Sequence, residues 1–530
     1  MPASSVGFAI IPTRLSPTPT GGCWGLPCRD CLRTHLGVCT MTAQDINRDT
    51  FLSAVGPAVS GSELRPSLST LRLIFLIVAA AAPMAAVLGV VPVAFAFGNG
   101  AGVPLTFVGV AIVLSLFAVG YTAMSREVVS AGAFYAYIAR GLGAIPGLGS
   151  AFLAILAYLT FAFGVVGYFA FFAQLALHDI FGIDVHWIVT GGFAILFCAV
   201  LGYRQVDFSS RMLAILLSVE FAVLIALNVS VIWSRGLAAF PTSVFNLDAV
   251  ASGAPGVAVM LAFTCFIGVE SAAIYSEEAE APTRSVGRAT FGSILLIAAF
   301  YFVTTWISIG AVDGDIHTVA NEQVANLYFG LSTQYIGSSV TVLMQIFLAT
   351  SMLATGLAVH NIAARYIFSL GRQSCLPAVL GRVHSQHASP HVASVLVTVV
   401  TIVATIVFYL AGSDPLLGFG AVGVGLGTVG IIALQALTSL AVIAYFAKAR
   451  RSHWWITILS PLLSFLGLAA AVALAVSKFD LLTGSQSAVV LTLPVGLLVA
   501  FIAGCFYATF LRRGRPEIFA RLAQDFGSVT

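Results

Sequence analysis

From about Leu71 to Leu511 the chain is a succession of apolar runs separated by short polar connections. Crossing a bilayer core takes about 20 predominantly apolar residues in a helix. By that measure the pattern predicts about twelve spans. Spans 1 to 5 fall at about Leu71–Phe97, Pro104–Met124, Pro146–Leu177, His186–Gly202 and Phe208–Trp233. Spans 6 to 12 follow at about Pro255–Tyr275, Val286–Val312, Tyr335–Leu370, Val392–Ala411, Leu416–Phe446, Trp454–Val476 and Ala488–Leu511. Two polar connections carry periodic pieces of their own: an aromatic, interfacial segment at Ser130–Gly143 and a helix-like stretch at Thr318–Phe329. The expectation is an all-α polytopic membrane protein.

Two spans contain an evident break, AAPMA at Ala81–Ala85 in span 1 and FIGVE at Phe266–Glu270 in span 6. Between corresponding points of the two the chain crosses the membrane an odd number of times, so the breaks belong to halves of opposite topology. Paired breaks in such halves are the sequence mark of an inverted-repeat carrier with its site near mid-membrane. Residues 71–235 form the expected first repeat and 254–447 the second, with 454–512 (spans 11 and 12) outside both. Residues 1–70 and 513–530 are expected to be cytoplasmic, the former disordered.

Composition agrees: 59% of residues are hydrophobic, 8% are charged and mean hydropathy is +1.01, where a soluble domain carries about 25% charged residues. With the spans so placed, only Arg235 and Lys478 of the 24 Lys and Arg lie on one side. The positive-inside rule then puts both termini in the cytoplasm, and the plasma membrane is the expected location. No nucleic-acid partner is implied; the partners are the lipid bilayer and a small-molecule substrate. Four of the eight Cys (Cys23, Cys28, Cys31, Cys39) cluster early with only His35 nearby, a spacing that fits no ordinary zinc pattern. Neither a metal nor a cofactor is expected. The leader has no apolar core and so is not read as a signal peptide; Met41, followed by a more ordinary polar lead-in, is the expected native start.

A broken helix leaves N–H groups at the start of its second half, which attract an anion, and carbonyls at the end of its first half, which attract a cation. In span 1 the expected donors are Met84, Ala85 and Ala86 and the acceptors Ala80 to Ala82, with Pro83 unable to donate. In span 6 the equivalents are Phe266, Ile267 and Gly268, with Phe263 a turn away as a lid and Thr264 and Cys265 beside it. The substrate-binding candidates are therefore Ala82, Pro83, Met84, Ala85, Ala86, Phe263, Phe266, Ile267 and Gly268. Tyr158 in span 3 joins them as a polar-tipped side chain near mid-depth. Glu270, an ionisable group inside a span just before the acidic loop Glu277–Pro282, is a functional candidate by default, with a structural or gating role. Span 10, GFGAVGVGLGTVG, is glycine-rich enough either to hinge or to pack closely.

The run FIGVES followed by EEAEAPTRSVGRAT resembles the sixth-span signature of the amino acid–polyamine–organocation (APC) family of permeases. SAGAFYAYIARGLG after span 2 is similar to another family stretch, and HNIAARYIFSLGRQSCLP with Ser389–Pro390 resembles the end of span 8 and the loop beyond. The resemblance covers about residues 70 to 450. It implies a LeuT-type fold of five plus five helices with broken helices 1 and 6, alternating access, and substrates that are amino acids or related amines. Where the family usually has a glycine-rich turn in span 1, this chain has Ala-Ala-Pro-Met-Ala. Aligning Ser210–Arg211 with the family's start of span 5 places Glu220 where some proton-coupled relatives carry a Lys. The resemblance thus makes Glu220 the expected proton-coupling group, with Asn361 and His360 of span 8 as its partners. The proton is the expected coupling ion. The sequence leaves open an uncoupled exchanger or facilitator of the same fold, or a non-transporting membrane sensor. It disfavours an ATP-driven pump, because neither of its two Lys lies in a GxxxxGK[ST] loop. An enzyme is not expected.

Overall fold

The computed structural model describes residues 69–128, 133–204, 210–271, 282–387, 389–449, 453–483 and 488–525. The early cysteine cluster, Met41, the acidic loop 277–281 and the first residues of the Ser130–Gly143 segment lie outside these. All regular elements among the described residues are helices. Eleven of them are long and apolar enough to cross a membrane, and a shorter apolar helical stretch, Pro255–Ser271, lies between the fifth and sixth of the eleven. The protein is an all-α polytopic membrane protein.

Span 1 is a helix over Thr70–Ala80, begun by Ser69, whose hydroxyl accepts from the Arg72 N–H. It stops there, restarts at Pro83–Ala85, passes through a π-helical turn at Ala86–Val90 and ends as Val91–Phe97. Span 2 is Val103–Glu127, the interfacial helix Ala133–Leu142, span 3 Ala144–Phe181, span 4 Trp187–Arg204 and span 5 Ser210–Arg235. The helical part of span 6 is only Pro255–Thr264, shorter than the run to Tyr275 that hydropathy predicts, because the backbone tightens into successive turns from Cys265 onward. Span 7 is Pro282–Ala311 and is followed by two connecting helices, Ile316–Glu322 and Leu327–Tyr335. Spans 8 and 9 are Ser338–Arg372 and His391–Leu410. Span 10 opens with a π-helical turn, Pro415–Gly420, and runs on as Ala421–Ala449. Asp414 caps it, accepting from the Leu416 and Leu417 N–H groups at 2.9 and 2.7 Å, so the first orphan donors of the helix are met. Spans 11 and 12 are Ser460–Ser477, after a π-helical turn at Trp455–Leu459, and Ala488–Gly514.

Span 3 is the most enclosed of the long helices, with 78% of its central window buried, and spans 1 and 10 follow at 71% and 67%. Spans 9 and 12, at 28% and 22%, show most of their apolar surface to lipid. The glycines of span 10 form a packing seam against span 3. A methyl group built on Gly423 would stand 2.6 Å from the Gly164 Cα, and one on Gly427 2.8 Å from the Ala157 carbonyl. One on Gly167 would meet the Gly420 amide at 2.7 Å. Without a hydrophobic effect between helices in lipid, such close backbone approach is a main source of association.

Candidate functional site

At the span 1 break Ala82 takes the left-handed conformation, φ 45° and ψ 68°. Its N–H bonds back to the Ala79 carbonyl at 3.1 Å, and its own carbonyl accepts from the Ala86 N–H at 3.0 Å. Met84 is fully buried, and its backbone faces the carboxyl group of Glu220 in span 5. Of the three donors expected here, Ala86 therefore has its partner inside the protein. Ala85 keeps partial exposure in an otherwise buried stretch.

Glu220 is 3% exposed and accepts a hydrogen bond from the Ser351 hydroxyl of span 8 at 3.3 Å. Its span 8 partner is thus Ser351 and neither Asn361 nor His360. Those residues lie nine and ten positions further along the helix, about 13–15 Å at 1.5 Å per residue. Asn361 is half-buried. The His360 ring is 2.8 Å, Nε2 to Oγ, from Ser394 of span 9 and packs where a methyl on Gly202 of span 4 would stand 2.8 Å from it. His360 therefore belongs to the packing of spans 4, 8 and 9. Along span 8 the partner of Glu220 therefore lies earlier in the helix than the expected Asn361 and His360.

The span 6 break is tighter than a bare gap. The N–H groups of Phe266, Ile267, Val269 and Ser271 each bond three residues back, to Phe263, Thr264, Phe266 and Gly268, at 2.9–3.2 Å. Gly268 has φ 111°, a conformation open to glycine, and its N–H donates to Glu270 Oε2 at 3.0 Å. The other oxygen of Glu270 accepts from the Tyr158 hydroxyl of span 3 at 3.2 Å, and its backbone carbonyl from the Tyr121 hydroxyl of span 2 at 2.9 Å. Tyr158 in turn stacks on Tyr366 of span 8, ring centroids 5.5 Å apart. Tyr158 thus sits beside Glu270, where it joins spans 3, 6 and 8.

Phe266 is drawn into an aromatic cluster with Phe107 of span 2 and Tyr301 of span 7, at 6.3 and 6.2 Å. Phe263 is buried on the helix before the break and Ile267 is half-buried. The Thr264 hydroxyl is 2.9 Å from that of Thr428 in span 10, which fixes the end of the helix against its neighbour. Ser351, Tyr121 and Tyr366 are the participants that the sequence did not single out. A lone Ser or Tyr in a span gives no signal until its neighbour across the helix interface is known. Both breaks have a buried carboxyl group beside them, Glu220 at span 1 and Glu270 at span 6, and at span 6 it answers the free Gly268 N–H.

Taken together, the many apolar helices and the two interruptions at a buried level define an integral membrane protein of the interrupted-helix class. The chain belongs to the amino acid permease family, whose model matches residues 68–509, and so to the APC superfamily. It is 25% identical over 213 residues to an uncharacterized transporter of Rhizobium meliloti, covering 40% of this chain and 45% of the relative. It is 26% identical over 316 residues to the branched-chain amino acid permease BcaP of Lactococcus lactis subsp. cremoris, covering 54% of this chain and 64% of that one. The chain thus spans about half to two thirds of the length of these curated relatives.

Proposed function

We propose that the protein is a proton-coupled secondary transporter that carries an amino acid across the plasma membrane by alternating access. Spans 1–5 and 6–10 form its two inverted repeats of a LeuT-type fold, and both termini are cytoplasmic. Membership of the amino acid permease family supports the substrate class. The name of the Lactococcus relative favours a branched-chain or similar neutral side chain.

The observation that carries the coupling is a buried carboxyl group, Glu220, set against the backbone of Met84 at the span 1 break. The positive end of the second half of span 1 is where a substrate carboxylate would seat, and an ionised Glu220 already competes for it. Two carboxylates at one helix end repel, whereas a protonated Glu220 removes the repulsion. Proton and substrate then favour one another's binding, and by linkage the effect is reciprocal. Release of both on the cytoplasmic side returns Glu220 to its ionised form. Glu270, held between Gly268 and Tyr158, serves as the inner latch.

The test uses purified protein in proteoliposomes with labelled leucine and a panel of other neutral amino acids. An imposed inward proton gradient should drive accumulation. Glu220→Gln should abolish that accumulation while leaving exchange of internal for external substrate. Accumulation that ignores the gradient, or survives Glu220→Gln, would overturn the coupling.

A further inference from the structure

Span 7 carries four polar side chains at helical spacing in an otherwise apolar run: Tyr301, Thr304, Thr305 and Ser308. All four are 3% exposed or less. Positions i, i+3, i+4 and i+7 share one face. Thr305 and Ser308 turn their hydroxyls back to carbonyls of their own helix, those of Tyr301 at 2.6 Å and Thr304 at 2.7 Å. That habit relieves the hydroxyls but does not explain why a lipid-embedded helix should hold so many. Span 5 meets the same face. Asn228 donates to the Thr304 hydroxyl at 2.9 Å, and Arg235 donates to the Ala311 carbonyl at 3.1 Å. Both pairs are 76 residues apart in sequence, so the two helices run side by side in one register. Further in, the rings of Phe221 and Phe300 meet at a tilt with centroids 4.5 Å apart, which brings their neighbours Glu220 and Tyr301 to the same stretch of the seam.

Tyr301 is the exception on this face. It is fully buried, yet its hydroxyl has no hydrogen-bond partner among the described residues. An unsatisfied buried hydroxyl costs about 1–3 kcal/mol, and phenylalanine would fill the same aromatic site without that cost. The hydroxyl lies within electrostatic reach of the Glu220 carboxylate and the Cys265 thiol, and so does the Tyr328 hydroxyl of that thiol. Tyr328 belongs to the connecting helix after span 7, and its hydroxyl is 3.0 Å from Ser308. Beyond it, at the end of the seam, the guanidinium of Arg235 binds Asp313 and the Tyr335 hydroxyl at 2.7 Å each.

We infer that protons pass between the outer face and Glu220 along this span 5–span 7 seam, through the hydroxyls of Tyr328 with Ser308 and then Tyr301. The inference rests on the coupling role proposed above for Glu220. An outer hydronium gives up one proton and is left as water. Each hydroxyl, with intervening water, accepts one proton from the outer side and passes one inward, so none changes state. The Glu220 carboxylate gains the O–H bond. Asn228 and Thr304 hold the two helices in register beside the route. The hydroxyl of Tyr301 then has a use, since it bonds to the water that carries the proton inward.

The experiment compares Tyr301→Phe with the unaltered protein in proteoliposomes. Its readouts are the initial rate of leucine uptake driven by an inward proton gradient, leucine exchange at equal pH on both sides, and the melting temperature in detergent. Driven uptake should fall roughly tenfold or more, an added barrier of about 1.4 kcal/mol, with exchange unchanged and melting unchanged or raised. A purely structural hydroxyl predicts the same melting behaviour with no loss of driven uptake, and that result would overturn the route. Tyr328→Phe, which breaks the pair with Ser308, provides the second reading should Tyr301→Phe fold poorly, and should slow driven uptake in the same selective way. Glu220→Gln, measured alongside, separates the two ideas. If it alone loses driven uptake, the coupling stands and the route falls; if it too keeps driven uptake, both fall.

Discussion

Ala82 is one of two described non-glycine residues held in the left-handed region. At φ 45° its Cβ crowds the following carbonyl, a clash that costs roughly 1–2 kcal/mol for an L-residue. The conformation persists because its surroundings hold it: the carbonyl of Ala82 is gripped by the Ala86 N–H, Pro83 fixes the next φ, and Met84 is fully buried after it. Strain of this kind gathers at functional sites. Glycine relieves the clash but enlarges the freedom of the unfolded chain by about 0.5–1 kcal/mol. Ala82→Gly should therefore leave melting in detergent near the native value or slightly above it, with binding intact. Ala82→Val adds a branched Cβ to the same left-handed position and should lower stability by at least about 1 kcal/mol, read as a drop in melting temperature. Equal melting of the two variants would mean that the left-handed turn is not held in the protein.

At the scale of the helix, the run of glycines in span 10 is a seam rather than a hinge in this conformation, since Gly420, Gly423 and Gly427 each abut span 3. Gly423→Val places two methyl groups where the backbone of Gly164 already lies. It should cost on the order of 1–3 kcal/mol through overpacking, measured as lost thermal stability, whereas Gly109→Val, at a site with no heavy atom within 4 Å, should cost much less. The same comparison shows what the sequence holds and what it does not. The spans were legible because lipid imposes a length and an apolar composition; span 9, expected over Val392–Ala411, is His391–Leu410. Both breaks were legible too, from Pro83 and from Gly268 beside Glu270. The end of the span 6 helix was not, because turns that bond three residues back keep an apolar composition while changing the path. Nor was the choice between hinge and seam, or the identity of Ser351 as the partner of Glu220, since both depend on which faces of separate helices meet. Span 7 was a signal missed, as the period of Tyr301, Thr304 and Ser308 stands in the chain itself.

For the molecule as a whole, the consequential tie is the one through Glu270. It joins the broken segment of span 6 to span 3, span 2 grips its carbonyl, and the stack of Tyr158 on Tyr366 carries the connection to span 8. Beside it the interfacial helix is fastened to span 8 by the 2.6 Å contact between Tyr135 and Ser369. In the alternating-access cycle and topology proposed above, opening the cytoplasmic side separates these helices, so the Tyr158–Glu270 bond sets part of the proposed balance between closed and open forms. A hydrogen bond to a charged group contributes about 1.5–3 kcal/mol net, and 1.4 kcal/mol is a factor of ten in a population. Tyr158→Phe keeps the ring and its stack and removes only the hydroxyl, so it should shift the substrate-free protein toward the inward-open form by about tenfold or more. Cys265, fully buried at the span 6 break, is a native reporter of that opening. With the other cysteines replaced, its alkylation by a membrane-impermeant maleimide should accelerate by a comparable factor in inside-out vesicles and stay slow in right-side-out ones. Acceleration from the opposite side would invert the assignment of inner and outer faces. An unchanged rate from both sides would show that the bond closes nothing, leaving Glu270 as a cap on Gly268 alone.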